Sequence, residues 1–252
     1  MSFEVSAEAY GRFMGRFSEP LAAHLADAAG VVTGTRALDV GCGPGALTAE
    51  LVRRLGPEQV VAVDPSEPFV AAARQRFPGV EVVQGVAEAL PFADDVVDHA
   101  IAQLVVHFMT DPVRGLAEMA RVTRPGGVVA ACVWDHAGGG SPLSAFWQAV
   151  HDVDPDAPGE RTLPGTREGH LAELFAAAGL HDVESSVLSV SAELASFDAW
   201  WEPYTLGVGP AGAYVARLDD ERREALRRRC AELLPDAPFE VTASAWCAVG
   251  RA

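Results

Sequence analysis

Short, nearly continuous apolar runs alternate with amphipathic stretches through the first half of the chain. Residues 36–40, 60–63, 80–83, 96–102 and 128–134 are built mainly from Val, Ala, Leu and Ile. That texture belongs to strands buried on both faces, because a strand with one wet face alternates instead. Between the first two runs, Leu47, Leu51 and Leu55 recur every fourth residue and mark one face of a helix stopped by Gly56. Ser18-Glu19-Pro20 reads as a helix start, with a capping hydroxyl and a proline in the first turn, and Gly30 as its closing residue. Ser66 and Asp111-Pro112 open two further helices, and Pro78-Gly79 bounds the first of them. Pro125-Gly126-Gly127 reads as a turn into the fifth run. Strands that alternate with helices of about ten residues require crossover connections, hence a mostly parallel sheet with helices on both faces.

Beyond Asp135 the texture changes. Residues 136–166 are rich in Gly, Pro, Asp and Ser, which predicts a long loop with a helix around Phe146. A helix over 167–178 is closed by Gly179, and a strand falls within 183–190. Residues 196–239 carry Trp200, Trp201, Tyr204 and Tyr214 and a charged helix from Asp219, inserted ahead of a final strand over 240–249. We read the 252 residues as one domain: a helical lid (1–35), a cofactor-binding half (36–135), a loop, helix and strand (136–195), the insertion (196–239) and the last strand (240–252).

Charge and cysteine usage narrow the function classes. The net charge of -16 repels a phosphate backbone and argues against a nucleic-acid partner. Cys42, Cys132, Cys230 and Cys247 form no C-x-x-C pair, so neither a zinc site nor a disulfide scaffold is expected. Residues 1–13 lack the pattern of a secretory leader, and no apolar stretch is long enough for a membrane span. A soluble protein of a reducing, cytoplasmic location is the expectation.

The candidate chemistry sits where the first run ends. Val40-Gly41-Cys42-Gly43-Pro44-Gly45 lies between a strand and a helix, where glycines let the backbone turn sharply and approach a ligand. The following helix N-terminus offers unpaired N–H groups. Asp64 ends the next strand, where a carboxylate can accept both hydroxyl protons of an adenosine ribose. With Ala46 the loop also satisfies the dinucleotide pattern, so the glycines alone leave the cofactor open. Asp39 repels a pyrophosphate and favours a cationic amino-acid end or a sulfonium; its plainer reading is a carboxylate that hydrogen-bonds the loop amides.

Leu38-Asp39-Val40-Gly41-Cys42-Gly43-Pro44-Gly45 resembles the first motif of the class I S-adenosylmethionine methyltransferases. Val61-Ala62-Val63-Asp64-Pro65-Ser66 resembles their second motif, and Ala87-Glu88-Ala89-Leu90-Pro91-Phe92 the segment along the adenine. Val97-Asp98 is similar to the start of their fourth strand, and Arg121-Val122-Thr123-Arg124-Pro125-Gly126-Gly127 to the turn before their fifth. The resemblance covers residues 36–134 and is nearest to the small-molecule branch that includes quinone-ring C-methyltransferases. It implies a Rossmann-like fold with an antiparallel last strand, and S-adenosylmethionine as cofactor. It also implies that Gly41, Cys42 and Gly43 pass the methionine end, that Asp39 holds its amino group and that Asp64 binds the ribose. Pro65 and Ser66 would flank the adenine, Ala87 would offer backbone to its edge, and Gln103 and Leu104 would lie under the reactive end. Position 86 is Val where many relatives carry an Asp to the adenine amino group, and Glu88 is the carboxylate left to replace it.

Other residues carry two readings each. Tyr10, Phe13, Met14 and Phe17 form a helix-face stripe, ordinarily core; the resemblance makes this helix a lid, with Tyr10 and Arg16 as cofactor contacts. His107, in an apolar stretch after the fourth run, is either a satisfied core histidine or a general base at the strand end that opens onto the cleft. Asp135 and His136 hold a similar position after the fifth run. Arg222, Arg223, Arg227, Arg228 and Arg229 read as a solvated helix face, with Asp219–Arg223 and Glu224–Arg228 ion pairs. Trp200, Trp201 and Tyr204 either wall an acceptor pocket or anchor the insertion. No metal ligand set stands out. The expected function is methyl transfer to a small-molecule O, N or C nucleophile by in-line displacement. A nicotinamide-dependent oxidoreductase and a non-catalytic S-adenosylmethionine-binding protein are the rival readings.

Overall fold

The computed structural model describes residues 6–252, so residues 1–5 of the expected lid lie outside it. The chain begins with α1 (Ala7–Tyr10), passes through one π turn (Gly11–Gly15) and continues as α2 (Arg16–Ala28). Strands and helices then alternate: β1 (Ala37–Val40), α3 (Ala46–Leu55), β2 (Val60–Asp64), α4 (Glu67–Arg76), β3 (Glu81–Gln84), β4 (Val97–Gln103), α5 (Pro112–Val122) and β5 (Thr123–Trp134). There follow α6 (Ser144–Val153), α7 (His170–Ala177), β6 (His181–Leu194), α8 (Phe197–Trp201), α9 (Gly209–Ala216), α10 (Asp220–Leu233) and β7 (Phe239–Arg251).

The seven strands form one sheet in the order β3-β2-β1-β4-β5-β7-β6, and only β7 runs antiparallel to its neighbours. The continuous apolar runs are explained by two cores, one on each face. In β5, Val128, Ala130, Cys132 and Trp134 point into one core, while Val129, Ala131 and Val133 point into the other. Strand order reverses between β1 and β4, and ligands of open α/β sheets bind at such a switch point, outside the strands' carboxyl ends.

Four expectations need correction. Ser18 is not a helix cap: it is buried inside α2, and Pro20 stands inside the helix. The π turn just before α2 already disturbs the backbone ladder there, so a proline that withholds one N–H is accommodated. Pro125-Gly126-Gly127 is not a turn ahead of β5 but part of it, where the register against β4 shifts and Gly126 adopts φ +77°. The arginines of α10 pair at i,i+3, as in Arg223–Asp220, or across the fold with Asp198 and Asp152, in place of the i,i+4 partners read from spacing. β6 is also longer than its sequence suggests. It is an edge strand with mostly exposed side chains, so Glu184, Ser185 and Ser186 mask its apolar signal.

Candidate active site

The glycine loop hooks onto the neighbouring strand. Gly41 and Cys42 both donate their N–H groups to the Val63 carbonyl, at 2.7 and 3.0 Å. Asp64 accepts from the Gly43 N–H through Oδ2 and from the Ser66 N–H through Oδ1, each at 2.8 Å. Burial pushes its carboxyl pKa up, and the two N–H bonds oppose that shift. Gly41 has φ +71°, and a Cβ there would stand 2.5 Å from Val105 Cγ2. Glycine is therefore required by conformation and by space together.

Beneath the loop, Asp39 is 1% exposed and accepts from Thr48 Oγ1 at 2.6 Å. Desolvation drives its carboxyl up to about 7; the Thr48 bond opposes this and nearby Asp64 adds to it. The plainer reading of Asp39 placed its bonds on the loop amides; the partner is instead the Thr48 hydroxyl on α3, which sequence reasoning did not single out.

A cleft of about 630 Å³ opens at the carboxyl ends of β1, β2 and β4. Ten of the residues singled out from sequence line it: Tyr10, Gly41, Gly43, Asp64 and Pro65 among them, together with Ser66, Ala87, Glu88, Gln103 and Leu104. Tyr10 packs edge-to-face on Phe69 of α4, with ring centroids 5.6 Å apart, so α1 reaches across the cleft mouth. Loss of solvent raises the Tyr10 pKa to about 12, and Asp64 contributes to that rise. Leu104 has φ +61°, an uncommon conformation for a branched side chain, and it sits at the end of β4 facing the cleft. Gln103 donates from Nε2 to the Ser18 carbonyl at 2.8 Å, tying β4 to α2, while its Oε1 is buried without a partner. Glu88 Oε1 accepts from the Thr110 N–H at 2.7 Å, which turns one carboxylate oxygen toward the chain itself. Phe69, Met109 and Thr110 also line the cleft and were missed, since an aromatic or a methionine in an apolar stretch carries no signal of its own.

Three of the expected cofactor contacts stand elsewhere, and so does His107. Asp39 and Cys42 are buried behind the loop, and Arg16 lines a separate small cleft with Phe17, Trp200 and Tyr204. His107 lies in a 3-10 turn (Val106–Phe108) after β4 and faces a second chamber, of about 40 Å³, that shares Tyr10, Leu104 and Phe108 with the main cleft. Burial holds its imidazole well below pKa 6.5, and His136 lowers it further. His136 and Glu160 line the same chamber. Asp135 does not: its Oδ1 accepts from the Gly138 N–H and from Trp246 Nε1, at 2.7 and 3.1 Å, holding the loop after β5. The aromatics of the insertion act as an anchor. Tyr204 stacks on Phe146 with centroids 4.4 Å apart and meets Phe13 edge-on, fastening the 3-10 turn after α8 to the N-terminal helix. Val208, Gly209, Pro210 and Ala211 of the insertion line the second chamber instead.

Comparison with known proteins places these features in a family context. A family model described as a methyltransferase domain matches residues 38–131. An uncharacterized methyltransferase from Mycobacterium sp. (strain JLS) is 35% identical over 204 residues, covering 75% of this chain and 79% of that protein. A demethylmenaquinone methyltransferase from Renibacterium salmoninarum is 37% identical over 112 residues, covering 44% of this chain and 46% of that protein. The chain thus spans less than half the length of several curated relatives it matches, 34% and 40% for two others. Among solved structures, the fold is similar to phosphoethanolamine N-methyltransferase 2 from Haemonchus contortus, a complex with phosphomonomethylethanolamine and S-adenosylhomocysteine. That likeness has a TM-score of 0.60 at 17% identity and covers 97% of this chain and 56% of that one.

Proposed function

The chain belongs to the S-adenosylmethionine-dependent methyltransferases, and from that premise we propose that it carries a methyl group from S-adenosylmethionine to an O, N or C nucleophile on a small molecule. The observation that carries this reading is the convergence of the glycine loop, Asp64, Ala87 and the end of β4 on one cleft at the strand-order reversal. The residues present fit the cofactor. Gly41 and Gly43 take the left-handed backbone that lets the loop turn beside the cleft, Asp64 presents a carboxylate to a ribose, and Gln103 Oε1 is a buried acceptor in want of a donor. Pro65 and Ser66 would flank the adenine, with Ala87 at its edge and Glu88 Oε2 in place of the acid missing at Val86. When bound, the cofactor supplies an electrophilic methyl group on a sulfonium.

The chain's own part is to position and to exclude water. Tyr10 and Phe69 close over the cleft mouth, and Leu104 and Phe108 stand between it and the second chamber. Holding two reactants in line can supply about 7–11 kcal/mol of the barrier. Asp39, 1% exposed beneath the loop, contributes a buried carboxyl that favours a cationic ligand above it.

Differential scanning fluorimetry tests the reading. S-adenosylmethionine and S-adenosylhomocysteine are each expected to raise Tm, because a ligand of the native state stabilises it by mass action, and NAD is not. Asp64→Ala is expected to fold but to bind the cofactor about 1.5–3 kcal/mol more weakly, the range for hydrogen bonds to a charged group. A Tm raised by NAD and not by S-adenosylmethionine would overturn the assignment. Labelled cofactor with a panel of phenol, quinol and amine acceptors then identifies the nucleophile.

A further inference from the structure

The second chamber brings together three buried groups from three distant parts of the chain. His107 follows β4, His136 follows β5, and Glu160 lies in the loop between α6 and α7; they are 4%, 6% and 3% exposed. One nitrogen from each imidazole and one carboxylate oxygen all lie within 4.8 Å of one another, the one such group among the described residues. From this geometry we propose that His107, His136 and Glu160 form a binding site for one divalent transition-metal ion of the zinc class.

Four observations carry the proposal. The donor set, two imidazoles and one carboxylate, is the kind that leaves zinc a fourth position, and it does not resemble the all-oxygen cages that hard alkaline-earth ions take. The Nδ1 atom of His107 and both ring nitrogens of His136 are buried without a hydrogen-bond partner. A buried polar atom left unpaired is costly, so three in one chamber mark a place built for a ligand. Glu160 is already oriented: Trp147 Nε1 donates to its Oε2 at 2.7 Å, the outer hydrogen bond that ligating carboxylates characteristically have. Finally, the space suits an ion with one further ligand. The chamber holds about 40 Å³, and a tetrahedral ion would draw its ligand atoms to about 3.4 Å apart, which side-chain rotation of about an ångström achieves. Two neutral imidazoles and one carboxylate leave a divalent ion with a net charge of +1, so its fourth position favours an anionic oxygen.

The site does not depend on the methyl-transfer reading, and its test is separate. The full chain, freed of metal with a chelator, is titrated calorimetrically with Zn²⁺ and, in parallel, with Mg²⁺. One Zn²⁺ per chain is expected, with no Mg²⁺ heat, and Co²⁺ should give the visible bands of a low-coordinate imidazole site. His136→Ala and Glu160→Gln should each weaken Zn²⁺ at least tenfold, and Trp147→Phe should weaken it 10–100-fold by freeing the carboxylate. Cooperative thermal unfolding of every variant is the measure of an intact fold, and S-adenosylmethionine is titrated in parallel. If His136→Ala fails to fold, Glu160→Gln decides. Zn²⁺ that does not bind the parent chain, or binds it no more tightly than a folded Glu160→Gln variant, overturns the proposal. Loss of S-adenosylmethionine binding by the parent chain would overturn the methyl-transfer reading and leave the metal site standing.

Discussion

At the scale of single residues, Asp39 is the clearest case of a position whose sequence reading and whose burial pull apart. Its charge two residues before Gly41 suggests an attraction for a cation, yet the native carboxyl is desolvated and titrates near 7. An acid whose native pKa lies above its unfolded value of about 3.9 costs stability as pH rises, because the unfolded chain ionises first. The cost begins above pH 4, is complete above pH 7, and reaches up to about 4 kcal/mol at 1.36 kcal/mol per pKa unit. Asp39→Asn should therefore leave stability nearly unchanged at pH 4 and raise it progressively to pH 8, as followed by urea unfolding at each pH. If Asp39 faces a bound cation, cofactor binding at pH 6.5 should also release a proton that the variant does not release. Calorimetry in two buffers of different ionisation enthalpy reads this directly. Equal proton release by both proteins would mean that Asp39 is a structural carboxyl alone.

At the scale of elements, the loop after β1 and the end of β4 constrain each other. Gly41 at φ +71° leaves no room for a Cβ beside Val105, which follows the positive-φ Leu104. Gly41→Ala carries both a left-handed backbone and a steric conflict, each worth about 1–3 kcal/mol. It should lower stability and cofactor affinity together. Gly41→Ala combined with Val105→Ala should recover the steric part and not the conformational part, a coupling that a double-mutant cycle on unfolding free energies measures. Simple additivity of the two changes would show that the loop and β4 do not constrain each other. The N-terminal helix is joined to the rest differently. Its aromatic packing on Phe69 and Tyr204 outweighs the exposed Arg12–Glu202 pair, for which about 0–1 kcal/mol is the usual contribution.

At the scale of the whole molecule, a net charge of -16 strains the compact state through self-repulsion. Raising salt from 10 to 150 mM shortens the screening length from about 30 to about 8 Å. Tm at pH 8 should therefore rise over that range, and a falling Tm would mean that the surface ion pairs outweigh the repulsion. The same scale separates what the sequence determined from what only folding decided. The strands β1, β2, β4 and β5 were legible because parallel strands covered on both faces must be apolar at successive positions. β3, at the sheet edge with Glu81 and Gln84 exposed, kept enough valine to be read. The glycine loop and Asp64 were legible because one turn and one strand end impose local demands on residue type. None of the edge strand's full length, Pro20 inside α2 or the Gly126 irregularity was legible. Each depends on a neighbour: solvent beside β6, the π turn before α2, and β4 against β5. Thr48 under Asp39 and the meeting of His107, His136 and Glu160 were invisible for a stronger reason. Local sequence patterns report contacts within a helix or a strand, whereas these groups meet only because a strand reversal and a long loop carry them to the same end of the sheet.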